Sequence, residues 1–259
     1  MPARVHPRER FYFAVAAFFS LLVYLLLVVS IIGISYLLLG AIFALLLNGL
    51  FSGHFRGNGV RVSTRQFPDI HETARRLSRG VGLEEVPDIY VLQAGGALNA
   101  FAMRFMGRGY VVLFSDVVEL ARRQGEQALA FVIAHELAHH ERGHTGWKRL
   151  VIAPALWMPF IGSAYSRACE YTCDAYATDA VAGGAVDGLL VLAAGKELYA
   201  EVDADAFVLQ AQEERGFWVR FAEMMSTHPT LPKRVRAVRN RIARMPERAG
   251  ATEAGLLPV

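Results

Sequence analysis

A long run without a charged side chain, from Phe11 to Phe51, limits the possible folds of this 259-residue chain more than any other feature. As one helix the run would be roughly 60 Å long, at about 1.5 Å per residue. The hydrocarbon core of a bilayer is only about 30 Å thick. We therefore predict two membrane-spanning helices with a turn in residues 30–35. One long tilted helix is the alternative, whereas a cleaved signal peptide is not expected, because no A-x-A site closes the run.

Arginines flank the uncharged run on both sides and predict its orientation: Arg4, Arg8, Arg10, Arg56, Arg61 and Arg65. Two passes bring both ends to the same side of the bilayer, and the positive-inside rule makes that side cytoplasmic. We expect a multi-pass protein of the cell (inner) membrane with its soluble part facing the cytoplasm. Tyr24 would then fall in the middle of the membrane, where we expect it to pack between the two helices.

The rest of the chain predicts one soluble domain. Helical spacing of apolar residues begins at Pro68, and three short strands follow, at residues 89–92, 99–105 and 110–114. Two long apolar helices are predicted at Gln127–Arg142 and Ser166–Ala182. We predict an α+β fold, mainly helical with a small β-sheet. The predicted divisions are a basic tail (1–10), the hairpin (11–51), a linker (52–66), the domain (67–246) and a flexible tail (247–259).

Charge and cysteine content narrow the class of protein further. The formal net charge is +3, and no basic stripe accompanies it, so we expect no nucleic-acid partner. The chain contains only two cysteines, Cys169 and Cys173, which excludes a disulfide framework. We interpret both as small buried hydrophobic residues.

The segment His135-Glu136-Leu137-Ala138-His139 is an HExxH motif within a predicted helix. Residues four positions apart share a helix face, so both imidazoles can reach one metal ion. Zinc lowers the pKa of a bound water molecule, and Glu136 can take its proton without acting as a ligand. The motif therefore predicts a catalytic zinc site with one Zn²⁺ per chain.

A catalytic zinc ion needs a third protein ligand. The HExxHxxGxxH pattern of metzincins fails here, so we expect His140 and His144 to face solvent on the helix. Glu170, on the next helix, is the preferred third ligand. Asp174 lies one turn further on nearly the same face and suits a hydrogen bond to a ligating histidine. Either carboxylate could reach the metal from a slightly shifted helix, but we choose Glu170 as ligand and Asp174 as its neighbour.

In addition to these motifs, the chain carries Asn99-Ala100-Phe101-Ala102, Ser166-Arg167 and Thr227-His228-Pro229 followed by Arg234. The ordered set resembles the gluzincins, the membrane-bound zinc metalloproteases that include the heat-shock protease HtpX and the CAAX prenyl protease. The resemblance covers roughly residues 68–238. It implies His135, His139 and Glu170 as zinc ligands. It also implies that Asn99 and His228 steady the oxyanion of the tetrahedral intermediate.

The chain departs from this family between the HExxH motif and Glu170. Many relatives have two more membrane spans there, whereas this chain has a single apolar run, Leu150–Tyr165, with two prolines inside it. A single crossing would place Glu170 and His139 on opposite sides of the membrane. Two residues that bind the same zinc ion must lie on the same side, so a single crossing is excluded. We therefore expect the run either to pack against the domain or to dip into the near leaflet of the bilayer.

These features together predict a membrane-anchored zinc metalloendopeptidase that acts on protein or peptide substrates, including membrane proteins, in quality control or processing. The bilayer itself is the other expected partner. We expect the strand at Asn99–Phe105 to pair with an extended substrate. The alternatives are a CAAX-type processing protease and a zinc-stabilised membrane scaffold or chaperone that does not cleave. The small number of membrane spans argues against the CAAX-type protease, because a chamber for a lipid tail should need more of them. The intact Glu136 argues against the scaffold, because a purely structural zinc ion needs no base.

Overall fold

Two long N-terminal helices, α1 (Pro7–Val29) and α2 (Ile31–Asn58), form a hairpin in the computed structural model, which describes residues 4–95, 99–123 and 125–245. Both helices are long and apolar enough to cross a membrane. Ser30 alone separates them, and its hydroxyl accepts a hydrogen bond from the Gly33 amide at 2.8 Å. A Cβ at Gly33 would lie 2.1 Å from the Leu27 carbonyl oxygen, so only glycine permits this tight turn. The predicted hairpin is thus present, with a shorter turn.

The second helix continues beyond the predicted hairpin end at residue 51, to Asn58, so the predicted linker (52–66) begins as helix. Its last turns pack on the β-sheet, and Phe55 is fully buried there with its ring centroid 5.5 Å from that of Tyr90 and 5.4 Å from that of Tyr110. Strand β1 (Val60–Arg61) then joins the sheet directly. The hairpin is therefore packed against the sheet, and burial of Phe55 there stabilises the added helical turns.

The sheet has four strands in the order β1-β2-β4-β3. β2 (Asp88–Leu92) runs parallel to β4 (Arg108–Phe114), whereas β3 (Ala100–Phe105) pairs with β4 in the antiparallel direction. Among the described strands, β1 and β3 lie at the two edges of the sheet. The three predicted strands are all present, and the polar first residues of β4 extend it beyond its predicted start.

The described helices of the soluble domain are α3 (Pro68–Val81), α4 (Ser115–Arg123), α5 (Glu126–Glu141), α6 (Trp147–Val151), α7 (Ala153–Leu156), α8 (Ile161–Ala180), α9 (Ala185–Leu198), α10 (Ala204–Glu213), α11 (Phe217–Met225) and α12 (Leu231–Ile242). α5 is buried nearly all round, between α3, α8, α9 and the sheet, because residues 128–134 before the motif are apolar on every face. The predicted α+β class, mainly helical with a small sheet, is confirmed. α8 begins five residues before its predicted start, at Ile161.

The short apolar run between the motif and Glu170 packs along α1. Its helices α6 and α7 place the Ala155 amide 3.1 Å from the Ser20 hydroxyl, to which it donates. The Tyr24 hydroxyl donates to the Leu150 carbonyl oxygen at 2.6 Å. The hydroxyl of Tyr24 is therefore satisfied by this run, a partner that the sequence analysis did not predict. The flexible tail predicted at 247–259 and residues 1–3 of the basic tail lie outside the described residues.

Candidate metal centre

The two histidines of the motif and Glu170 converge between two packed helices. α5 carries His135 and His139 on one face, and α8 packs against that face with Glu170. The Nε2 atom of His135 lies 3.3 Å from Glu170 Oε2, and Nε2 of His139 lies 3.3 Å from Glu170 Oε1. One ligand atom from each residue lies within 4.8 Å of the other two. The three predicted ligands are thus brought together.

Two imidazoles and one carboxylate form a donor set that catalytic zinc sites use. Burial alone would lower the pKa of His135, but the close carboxylates of Asp174 and Glu170 raise that pKa to about 10. The two carboxylates therefore favour the protonated form of this imidazole. A divalent cation would replace that proton, since metal binding and protonation compete for the same nitrogen. The residues present fit a zinc ion.

Arg234 of α12 supports the carboxylates of the site. Its guanidinium contacts both oxygens of Asp174, at 2.8 and 2.6 Å, and its Nη1 lies 3.2 Å from Glu170 Oε2. Burial would raise the pKa of Glu170, but Arg234 and the two histidines hold that pKa well below its usual range. Both carboxylates therefore remain ionised, as a metal site requires.

Asp174 lies next to His135, one of the candidate ligands, as the sequence analysis predicts. Its Oδ1 is 3.0 Å from His135 Nδ1, on the side of the ring opposite to Glu170. Asp174 is 2% exposed, and Arg234 also lowers the pKa of this carboxyl against the effect of burial. The contact is of the kind that fixes the orientation of a metal-bound imidazole.

The remaining predicted residues line a cavity of about 410 Å³ over the candidate ligands. Glu136 is buried and lines it beside His135 and His139. Asn99 lies at the start of β3, and its side-chain oxygen accepts from the Ala100 amide at 2.9 Å. His228 is exposed at the rim, with Nε2 3.6 Å from Glu170 Oε1. All of the predicted catalytic residues therefore border the same cavity.

Two histidines differ from their predicted positions on the solvent side of α5. His140 is buried beneath the sheet, where its Nε2 lies 3.0 Å from the Tyr110 carbonyl oxygen. His144 is not helical, because α5 ends at Glu141 and the chain turns back through Gly143 at a φ of 68°. Burial lowers the pKa of each to about 4.

Around His144 the structure assembles polar groups that the sequence analysis did not identify. Its Nδ1 lies 3.2 Å from Nδ1 of His139, and its Nε2 lies 3.3 Å from Oε1 of Glu9, at the start of α1. The only sequence signal for Glu9 is its position as a lone acidic residue between two arginines just before the uncharged run.

Both cysteines lie close to this group and are buried and free. Cys173 Sγ is 3.6 Å from His144 Nδ1, and Cys169 belongs to a possible ligand group with Glu9 and His144. Burial raises the pKa of each thiol. Their burial agrees with the interpretation of both as small buried residues.

Comparison with known protein families gives one match. The sequence profile described as peptidase family M48 matches residues 64–156 and 145–242, which together span well over half of the chain. The two matched segments overlap around α6 and α7, in the region where the sequence departs from related proteins. No curated protein matches the chain significantly. Every predicted site residue, from Asn99 to His228, falls within the matched region.

Proposed function

The chain belongs to peptidase family M48, whose members are metallopeptidases, and we propose that it is a membrane-anchored zinc endopeptidase. The observation that carries this proposal is the convergence of His135, His139 and Glu170 beneath a cavity that Glu136 also lines. A purely structural zinc site is normally closed by four protein ligands and needs no neighbouring base. Three ligands, an open cavity and a buried glutamate favour catalysis over a scaffold role.

In the proposed reaction His135, His139 and Glu170 hold the metal. Zinc, when bound there, supplies an acidified water molecule and polarises a substrate carbonyl. Glu136 takes the proton from the attacking water and later delivers it to the leaving amine. The Asn99 amide group and His228 donate hydrogen bonds to the carbonyl oxygen as it gains negative charge.

The substrate backbone has a natural binding edge beside this cavity. β3 pairs with β4 on one side only among the described strands, and Ala100, Phe101 and Ala102 line the cavity. An extended peptide that adds to this edge would place its main chain next to Asn99. Binding through main-chain hydrogen bonds tolerates many side chains, which suits a protease of broad sequence preference.

The anchor suggests that cleavage occurs at the membrane surface, in quality control or processing of membrane proteins. If the hairpin spans the bilayer from about Phe11, Ser20 and Tyr24 lie about 13–20 Å below the interface at 1.5 Å per residue. These two residues form hydrogen bonds with the α6–α7 run. In that run the side chains of Leu150 and Trp157 are 72% and 89% exposed. Exposed apolar side chains at that depth favour a run that dips into the bilayer at least to its middle, since the hydrocarbon core is only about 30 Å thick.

The proposed activity predicts metal-dependent cleavage by the purified full-length protein. An unfolded polypeptide such as casein should be cut in detergent micelles, and removal of metal with a chelator such as 1,10-phenanthroline should abolish cutting. Readdition of about one equivalent of Zn²⁺ per chain should restore it, because the site has one set of ligands. Cleavage would be followed by electrophoresis. Zinc binding without cleavage would instead favour the alternative of a zinc-stabilised scaffold or chaperone.

The hairpin predicts that both chain ends face the cytoplasm, since two crossings return the chain to its starting side. Reporter fusions after Met1 and after Val259, one type active only in the cytoplasm and one only outside it, should give the same answer at both ends. A fusion at Ser30, in the turn, serves as the matched control and should give the opposite answer. Opposite results at the two ends would indicate a single tilted span.

A further inference from the structure

Glu9, at the start of the first membrane helix, is buried against the soluble domain with only 4% of its surface exposed. Its carboxylate accepts hydrogen bonds from the Thr172 hydroxyl and from the Arg142 guanidinium, the latter at 3.4 Å. The third neighbour is Nε2 of His144 at 3.3 Å. A charged side chain in such a position normally has a specific partner, because its burial without one is costly.

From Glu9 a chain of contacts leads to the candidate metal position. His144 bridges the carboxylate and Nδ1 of His139, at distances of 3.3 and 3.2 Å. The opposite ring nitrogen of His139, Nε2, is the atom that faces Glu170 at 3.3 Å. Two residues thus connect the membrane helix to one of the proposed zinc ligands.

The proton positions along this chain of contacts follow from which groups can donate and which can accept. The Glu9 carboxylate only accepts, so His144 donates from Nε2. A neutral imidazole with a proton on Nε2 accepts at Nδ1, and two donors lie near that atom, Nδ1 of His139 at 3.2 Å and the Cys173 thiol at 3.6 Å. The nearer of the two is His139 Nδ1, which then carries the proton. The lone pair of His139 Nε2 is then free for a metal ion.

We propose that Glu9 and His144 are positioning residues that fix the tautomer and ring orientation of His139, so that the membrane helix forms part of the metal centre. This inference rests on the proposed zinc site. Asp174 has the corresponding place beside His135, at 3.0 Å from its Nδ1, but it comes from the catalytic domain itself. For His139 the carboxylate comes from the anchor, and it acts through a second histidine.

If Glu9 and His144 served only to dock α1 on the domain, their contacts with each other and with His139 would not be needed. The N-terminal segment is already held to α8 by the Arg4–Asp179 ion pair at 2.8 Å and by stacking of His6 on Tyr171 at 5.3 Å. Neither contact involves a proposed zinc ligand. Arg4→Ala therefore weakens the same interface without touching the His139 contacts, and it is the matched control.

The test measures zinc affinity of the full-length protein in detergent micelles by competition with a chromophoric chelator. Glu9→Ala and His144→Leu should each weaken zinc binding about 10–100-fold, the usual effect of losing a group that orients a ligand. Glu9→Gln keeps an acceptor oxygen and should lose less. Because both residues act through one chain of contacts, the double variant should lose little more than either single variant.

The absorption spectrum of the Co²⁺-substituted protein gives an independent readout of ligand geometry. It should change in Glu9→Ala and His144→Leu and stay unchanged in Arg4→Ala. Wild-type affinity in Glu9→Ala, an equal loss in Arg4→Ala, or additive losses in the double variant would each overturn the proposal. So would two zinc ions per wild-type chain with one lost in His144→Leu, since Glu9, His144 and Cys169 would then form a second metal site. Failure of the wild type to bind zinc at all would instead contradict the proposed function.

Discussion

Glu136→Gln is expected to lower the rate of peptide hydrolysis by about 10²–10⁴-fold, the usual contribution of a general base, while zinc stays bound. The amide has nearly the same shape as the carboxylate but cannot accept the proton of the attacking water. Zinc should be retained because Glu136 is not among the three converging donors. Zinc content and cleavage rate should be measured on the same preparation.

The matched control for this change is Glu141→Gln. Glu141 ends the same helix, and among the described residues it is not one of those that line the cavity. This variant should cleave at the wild-type rate, which separates loss of the base from a general effect on α5. Near wild-type cleavage by Glu136→Gln would refute the proposed mechanism, and loss of zinc would show that Glu136 supports the metal.

Glu170→Ala is expected to purify largely without zinc, because it removes one of three protein ligands. Asp174→Ala should bind zinc when the metal is in excess, with an affinity about 10–100-fold below that of the wild type. The difference follows from their positions. Glu170 lies 3.3 Å from Nε2 of both histidines, whereas Asp174 approaches His135 from the Nδ1 side. Zinc titration of the purified variants measures both affinities.

Both changes also remove an arginine-paired carboxylate from α8, so a control for the loss of such a pair is needed. Asp179→Ala removes another carboxylate of α8, one paired with Arg241 at 2.7 Å and with Arg4. It should leave zinc affinity near the wild-type value. If Asp174→Ala loses zinc more completely than Glu170→Ala, the third ligand is Asp174 and the assignment made from the helix register is wrong.

The local elements of this fold follow closely from the sequence. The uncharged run gave two helices, and the apolar stretch around the HExxH motif gave α5 to within one residue of its predicted ends. These features depend on interactions between residues close in the chain, chiefly helical periodicity and charge. The helix ends were less predictable, because packing of Phe55 on the sheet extends α2 and packing on α1 accompanies an earlier start of α8.

The sequence by itself determined which groups can bind a metal, because the i, i+4 spacing places His135 and His139 on one helix face wherever that helix lies. It also singled out Glu170 and Asp174, one turn apart on a second helix. Only the tertiary structure decided what surrounds those groups. A turn after α5 buries His144 against His139, and docking of α1 brings Glu9 to that histidine across 135 positions of chain. Contacts over such separations depend on how helices pack, and no local periodicity encodes that packing.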